Sequence, residues 1–497
     1  MNARRRFTAL CAVALVAFAA CTSGDDTSDA TGPRPVAFGK PMQLSVFEYN
    51  VEYAGDATTD GVIADVDADV VGVLESYNRL PEMAENAGYP YYNVSLQLLS
   101  KYPILEPSGA EGRYAFIEVR PGQVIPFFNI HLDYVKYGPR ALRHGESVED
   151  VIASENQVRT SALEEPLRLM SELIDQGYPV FFTGDHNEPS SLDWTEATAE
   201  ANKDVTGPVP WPVSEAVLAA GFRDTYREMH PDPVAEPGIT HQGVGDRIDY
   251  VYAAGPAETL QSQLVGELGG RDVNLAYEPW TSDHRAVVST FEVTPALMPT
   301  MVAVSPALLD QGDPLAVTYR APSADGTVAI VPSDGSEPAV AEDLAGPTGS
   351  FDVDSASLGT GGYDAVLRDA DGTELARVGL WVRDPNAVIE VTTDKAMYAE
   401  GEPIVVNWTG GPANRWDWIG VYEADKADPK VDSYLIWNYT GLHGSGTVPP
   451  VVDGSLTMDG TAQGGPWPLP PGRYVVHYLV TDRYRSIGSA TFEVQPS

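Results

Sequence analysis

Several short segments of this chain place acids, amides and histidines where loops between strands can bring them together. Asn50 and Glu52 stand in Tyr49-Asn50-Val51-Glu52, and Glu75 in Gly72-Val73-Leu74-Glu75-Ser76. His131 and Asp133 follow Phe127-Phe128-Asn129-Ile130. Asp185 and Asn187 lie in Thr183-Gly184-Asp185-His186-Asn187, Asp249 in Asp246-Arg247-Ile248-Asp249-Tyr250-Val251, and Asp283 and His284 in Ser282-Asp283-His284-Arg285. Hydrolysis of a phosphate ester needs these residue types. Water must lose a proton, negative charge grows on the non-bridging oxygens, and the leaving oxygen needs a cation or a proton. Carboxylates such as Glu75 and Asp283 suit a hard ion, Mg2+ or Mn2+. An Asp beside a His supplies an orienting carboxylate and an imidazole that moves or shares a proton near neutral pH. An amide such as Asn187 donates to a transition-state oxygen without adding charge. Any one of these residues at a strand end is more often a turn former or a structural group. The joint set carries the chemistry.

Strands must position such a set. Leu44-Ser45-Val46-Phe47-Glu48-Tyr49 alternates as a half-buried strand does, and Asp69-Val70-Val71-Gly72-Val73-Leu74 is a short, mostly apolar run. Ala115 to Val119, Val124 to Ile130, Pro179 to Thr183, Arg247 to Tyr252 and Ala286 to Phe291 read as further strands. Ser154 to Gln176 reads as a helix, with Val158, Ala162, Leu163, Leu169, Met170, Leu173 and Ile174 on a broad apolar face and Gly177 as its stop. Pro212 to Ala220 is a second helix, ending at Gly221. Strands mixed with few helices predict an α+β fold in which helices cover packed sheets. Between Tyr134 and Ser154, an insertion-like loop carries Lys136, Arg140, Arg143 and His144. It reads equally as an anion-binding patch or as solvated surface.

Taken in order, the motifs closely resemble the endonuclease/exonuclease/phosphatase superfamily over about residues 42–294. Each motif is weak alone, and the specificity lies in their shared order. The resemblance implies a four-layer α/β sandwich that uses Mg2+ or Mn2+, with water attacking phosphorus directly and no covalent intermediate. Carried over residue by residue, it makes Glu75 the main metal ligand, places Asn50 and Asp283 nearby, and makes Glu52 a candidate ligand of a second ion. Asp185 would orient or deprotonate the attacking water, and Asn187 would support the transition state. Asp249 would orient an imidazole, either His284 or His131. His284 would contact the phosphate or act as base, while His131 would stabilise the phosphoryl group or protonate the leaving group. Ser100-Lys101-Tyr102-Pro103-Ile104 is similar to the family's Ser-Arg-Tyr-Pro-Ile segment. His186 stands where the family often has Phe, Met or Trp, and reads as a packing residue.

The rest of the 497 residues frame that unit. Arg4-Arg5-Arg6 precede the apolar stretch Phe7 to Ala20, too short to span a bilayer, so residues 1–21 read as an export signal. Ala19-Ala20-Cys21 resembles a bacterial lipobox, with Phe18 in place of the usual Leu. It implies an extracytoplasmic lipoprotein anchored to a membrane through Cys21, with simple secretion as the alternative. Residues 22–41 form a small, polar tether, and Thr294 to Pro299 a linker. Asp310–Val317 repeats as Ala399–Val406 and Leu358–Tyr363 as Leu469–Tyr474, so residues 302–385 and 386–497 read as two all-β sandwich modules. Asp417-Trp418-Ile419-Gly420-Val421-Tyr422 resembles a stretch in immunoglobulin-like modules of some phosphatases. Trp416 and Trp418 either plug a core or contact a glycan or lipid surface.

A formal charge of −40, from 71 acidic against 31 basic residues, repels polyanions at long range. It argues against nonspecific nucleic-acid binding over the whole surface. A bound cation or a local basic pocket can still admit an anionic substrate. The expected function is an exported, metal-dependent phosphoesterase, first a phosphodiesterase or nuclease. The alternative is a phosphomonoesterase or a sphingomyelinase-like lipid phosphodiesterase. A cell-surface binding protein with an inert hydrolase fold is the rival from another class.

Overall fold

The computed structural model describes residues 37–496 except 78, 111, 336, 415–416, 442–450 and 481–482. The segment expected to be an export signal, Cys21, most of the expected tether and Trp416 lie outside the described residues. Among the described residues, no helix is long and apolar enough to cross a membrane. The chain is a mixed α+β protein with a sheet-rich C-terminal region.

The first strands are β1 (Met42–Asn50), β2 (Val70–Leu74), β3 (Tyr91–Asn93), β4 (Leu98–Ser100), β5 (Ile104–Leu105), β6 (Tyr114–Arg120) and β7 (Gln123–His131). They are followed by β8 (Val180–Asp185), β9 (Arg223–Asp224), β10 (Asp249–Ala254), β11 (Ala257–Glu267), β12 (Val273–Tyr277), β13 (Ala286–Val293) and β14 (Ala296–Leu297). One sheet runs β12-β11-β13-β1-β2-β4-β3, and the other β5-β6-β7-β8-β10-β9, with β14 beside β7.

Side chains alternate between the two faces of a strand, so each strand divides its residues between two cores. Leu44 and Val46 of β1 meet Ile125 and Phe127 of β7, Phe181 of β8 and Val251 of β10 in a cluster between the sheets. Phe47 and Tyr49, one residue out of step, face away and pack with Val62, Ile63, Leu80 and Met83 of the helices Ala57–Val66 and Leu80–Ala87. On the far side, Phe128, Phe182, Tyr250 and Tyr252 pack with Leu163, Met170 and Leu173 of the helix Ser161–Asp175 and Val213 and Val217 of the helix Pro212–Ala219.

Three expectations change in detail. The long helix begins earlier than Ser154, at Val148, where Ser147 caps the Asp150 N–H, and widens into a π-turn at Asn156–Thr160 before continuing to Asp175. Fully buried Glu155 and Arg159 pair there, and Glu155 also accepts from the Gly138 N–H. The loop after Tyr134 contains the helix Gly138–Arg143, and Arg143 bonds Asp246 and the carbonyls of Asp204 and Val244. That guanidinium therefore serves structure. Finally, Thr294 to Pro299 is not a free linker. Ala296 and Leu297 pair with Val124 and Gln123, and Ala296, Met298, Met301 and Ala303 enter the outer core of the second sheet. Burial of alternate small and apolar side chains holds the segment down.

Beyond it, a three-stranded sheet (Met301–Ser305, Pro314–Arg320, Thr348–Asp354) faces a five-stranded one, and a three-stranded sheet starting at Glu390–Thr393 faces a six-stranded one. Each pair encloses its own core. The repeat noted in sequence has a physical counterpart. Tyr363 donates its hydroxyl to the Gly359 carbonyl and Tyr474 to the Pro470 carbonyl, each four residues back. Trp418 is buried with Tyr422 and Leu479, against Tyr434 and Trp437, so it packs rather than projects.

Candidate active site

Strand pairing and strand parity together build one polar cluster. Parallel pairing sets Asn50 of β1 opposite Leu74 of β2, and His131 of β7 opposite Asp185 of β8. Antiparallel pairing sets the first residue of β10, Asp249, opposite the last of β8, Asp185. All four polar residues share the parity of the apolar side chains between the sheets. They therefore point into the gap at its open end. Asp283 and His284 arrive just before β13, which runs antiparallel to β1.

Asp185, almost fully buried, is the hub. Its Oδ1 accepts from the Asn187 N–H at 2.7 Å, and its Oδ2 accepts from Asn50 Nδ2 at 3.2 Å. The same Oδ2 lies 3.5 Å from His131 Nε2 and 3.8 Å from His284 Nε2. Burial and the Asp249 charge push the Asp185 carboxyl up to about 6, against the pull of both imidazoles and the Asn187 N–H. Asn187 is held in the left-handed region at φ 47°, with Nδ2 on the Leu132 carbonyl at 3.0 Å and 3.2 Å from His131 Nε2.

Asp249 has His284 as its partner. Its oxygens lie 2.9 and 3.0 Å from His284 Nδ1, while Thr240 Oγ1 accepts from the Ile248 and Asp249 N–H groups. Burial alone would lower the imidazole pKa. The carboxylates of Asp249, Asp185 and Asp283 outweigh burial and raise it to about 10. His284 is thus an imidazolium at neutral pH, with Nε2 turned toward Asp185 and Asp283, each 3.8 Å away.

Glu75 sits just past β2 at φ 56°, its Oε1 on Asn50 Nδ2 at 3.2 Å and its Oε2 on the Tyr53 N–H at 3.1 Å. Burial opposes its ionisation, but His131, the Tyr53 N–H, the Asn50 amide and His284 hold it below the ordinary carboxylate range. Glu52 accepts from the Asp283 N–H at 2.9 Å. Burial raises its pKa, and the neighbouring charges of Asp283 and Glu75 push the same way. Glu52 thus feels the repulsion of both Glu75 and Asp283, and hard oxygen donors of this kind suit a divalent cation that keeps several waters. The donor chemistry fits Mg2+ or Mn2+. Asn50 turns its nitrogen toward the carboxylates and its Oδ1 toward the Glu52 N–H, so ligation through Asn50 requires the amide to turn over.

Two neighbours escaped the sequence reading. The His241 ring lies 4.4 Å from that of His284, with Nε2 3.8 Å from Asp283 Oδ2, and could join those two residues around an ion. Its signal was slight, a histidine in the polar turn His241-Gln242-Gly243 ahead of β10. Glu48 lies beneath the site between the sheets, neither oxygen having a hydrogen-bond partner. Burial, then Asp249 and Asp185, raise its pKa well above the carboxylate range, and its signal was an acid at an inward position of β1. Asp133, by contrast, accepts from the Val135 N–H and makes a turn. His186 is buried among Phe182, Tyr250 and Tyr252, with neither ring nitrogen bonded.

Residues 48–284 match the model of the Endonuclease/Exonuclease/phosphatase family. A Caenorhabditis elegans protein, called uncharacterized protein F14F9.5, is 32% identical over 231 residues, covering 39% of this chain and 72% of the worm protein. Among solved structures, an endonuclease/exonuclease/phosphatase from Beutenbergia cavernae DSM 12333 is 16% identical with a TM-score of 0.34, covering 68% of this chain and 99% of its own. The D. rerio protein TDP2, complexed with a single strand DNA product, is 19% identical with a TM-score of 0.32, covering 50% of this chain and 99% of its own.

Proposed function

Because the chain belongs to the endonuclease/exonuclease/phosphatase family, we propose that it is an exported, divalent-metal-dependent phosphoesterase, a phosphodiesterase or nuclease in the first instance. One observation carries this reading. Asp185 contacts Asn50, Asn187, His131 and His284 at once, and Asn50 ties that group to Glu75.

With a carboxyl group poised near pH 6, Asp185 accepts the proton of the attacking water. His284, kept as imidazolium by Asp249, sets positive charge against the non-bridging oxygens and is a poor base at neutral pH. His131 and Asn187, in contact with each other and with Asp185, stabilise the phosphoryl group or give a proton to the leaving oxygen. Glu75, with Glu52 and Asp283, would hold Mg2+ or Mn2+, which when bound neutralises developing charge on phosphate and leaving oxygens.

We read the packed sheets and outer helices as a four-layer sandwich spanning residues 42–294. The paired tyrosine bonds support reading 302–385 and 386–497 as two immunoglobulin-like sandwiches. Export by residues 1–21 and a lipid on Cys21 belong to the same proposal.

Turnover of bis-p-nitrophenyl phosphate and p-nitrophenyl phosphate, with Mg2+, Mn2+ or EDTA, tests the reading. EDTA-sensitive diester hydrolysis lost in Asp185→Ala and His284→Ala supports it. Faster turnover of the monoester shifts the assignment to a phosphomonoesterase. Wild-type activity in both variants rejects the site, and no turnover on any phosphate ester favours a binding protein.

A further inference from the structure

The last C-terminal unit reaches into the site. Around Glu75, the backbone is held in an unusual state. Glu52, Tyr53 and Ala54 have φ of 51°, 45° and 80°, and Glu75 and Tyr77 have φ of 56° and 48°. Non-glycine residues are strained in this region and persist only where neighbours over-determine them. Some neighbours are local: the Ala54 N–H bonds the Glu75 carbonyl at 2.8 Å, and Arg79 bonds the Ala54 carbonyl at 2.7 Å.

Another comes from 430 positions away. Arg483 donates through Nη2 to the Tyr53 carbonyl at 3.2 Å, and its guanidinium lies 4.6 Å from the centre of the Tyr77 ring. These two residues also touch one oxygen of Glu75. The Tyr53 N–H donates to Oε2 at 3.1 Å and the Tyr77 hydroxyl at 3.4 Å. Arg483 is itself anchored, since Trp418 Nε1 donates to its carbonyl at 3.2 Å and the Tyr484 ring packs edge-on to Trp418. Buried Trp418, Arg483, the tyrosine pair and Glu75 thus form an unbroken physical path.

We infer that Arg483 is a positioning residue for the metal-binding carboxylate of Glu75, and that the last C-terminal unit completes the metal site rather than serving as a separate appendage. The inference rests on Glu75 being a metal ligand. Outer contacts that orient a ligand typically change metal affinity 10–100-fold when removed. A backbone carbonyl bond and a ring face are both available to a guanidinium, whereas an ammonium meets them less completely.

The test uses the full chain. Metal-free wild type, Arg483→Ala, Arg483→Lys and Glu75→Gln are titrated with Mn2+ while free Mn2+ is followed by electron paramagnetic resonance, with kcat and KM measured alongside. Arg483→Ala is expected to weaken Mn2+ binding about 10-fold at unchanged melting temperature, with Arg483→Lys between it and wild type. Glu75→Gln is expected to lose tight binding. If Arg483→Ala binds Mn2+ like wild type while Glu75→Gln does not, the positioning role is overturned and the metal site stands. If Glu75→Gln also binds like wild type, the ligand assignment falls and the inference with it. Should Arg483→Ala melt early, the folded Lys variant decides: wild-type affinity and wild-type KM there overturn the inference.

Discussion

Both carboxylate oxygens of Asp249 lie within hydrogen-bond distance of one ring nitrogen of His284, at 2.9 and 3.0 Å. The contact fixes the imidazole so that Nε2 faces the gap between the sheets, toward Asp185. A buried pair of this kind sets orientation and charge together.

Replacing Asp249 by Asn preserves shape while removing the charge and the acceptor pair. We expect kcat on bis-p-nitrophenyl phosphate to fall about 10²-fold or more, as when the orienting carboxylate of a catalytic histidine is lost. A variant within threefold of wild type would show that His284 needs no such partner.

In metal-free protein, the His284 imidazole should titrate near 10 rather than 6.5. A histidine with a raised folded pKa contributes stability that is complete below pH 6.5 and is lost as pH rises through about 10. NMR titration of the ring and denaturant unfolding between pH 6 and 10.5 measure both effects. Asp249→Asn should lower the pKa and flatten the alkaline loss of stability.

His186 has the opposite sign. Burial lowers its pKa to about 3, so above pH 6.5 the ring is neutral whether folded or unfolded, and stability falls as pH drops from 6.5 toward 3 because only the unfolded chain takes up the proton. Across that window the slope is about 1.4 kcal/mol per pH unit for one proton. His186→Phe should remove this slope and, by eliminating two unbonded buried nitrogens, stabilise the protein by about 1–3 kcal/mol. Unfolding curves at pH 5 and pH 7.5 check it, and an unchanged difference between the two would contradict the assignment.

Arg247 is buried against Asp224, at 3.0 and 2.7 Å, and Asp193, at 3.0 Å, with its guanidinium 4.8 Å from the Tyr250 ring centre. Two residues later the chain reaches Asp249. Arg247→Met leaves buried carboxylates poorly compensated and should cost about 3–5 kcal/mol in chemical denaturation. Lys keeps the charge without the planar fork and should recover only part of the loss.

Much of the site was legible because strand parity is a local property. Alternation in Leu44 to Tyr49 places Asn50 on the same face as Val46, and the run ending in Asp185 aligns that acid with Phe181. His241 was not legible, since nothing local says that its turn stacks on His284. The prolines of the segment after Thr294 suggest a linker, whereas Ala296 and Met298 find a core supplied by distant strands. Helix starts were blurred for a similar reason: Ser147 caps Val148–Glu155 locally, but the widened turn at Asn156–Thr160 accompanies a buried Glu155–Arg159 pair.

By itself, the order of residues determined which side chains are available and which face of each strand they take, because alternation and turn formation depend on near neighbours. It also carried the repeat behind the Tyr363 and Tyr474 bonds. Only the tertiary structure decided which imidazole Asp249 holds, that Asn50 bridges Glu75 and Asp185, and that Arg483 touches the backbone beside Glu52. Those are distances of a few ångströms between residues tens to hundreds of positions apart. They are set by how two sheets and a distant C-terminal unit pack, and no local pattern encodes them.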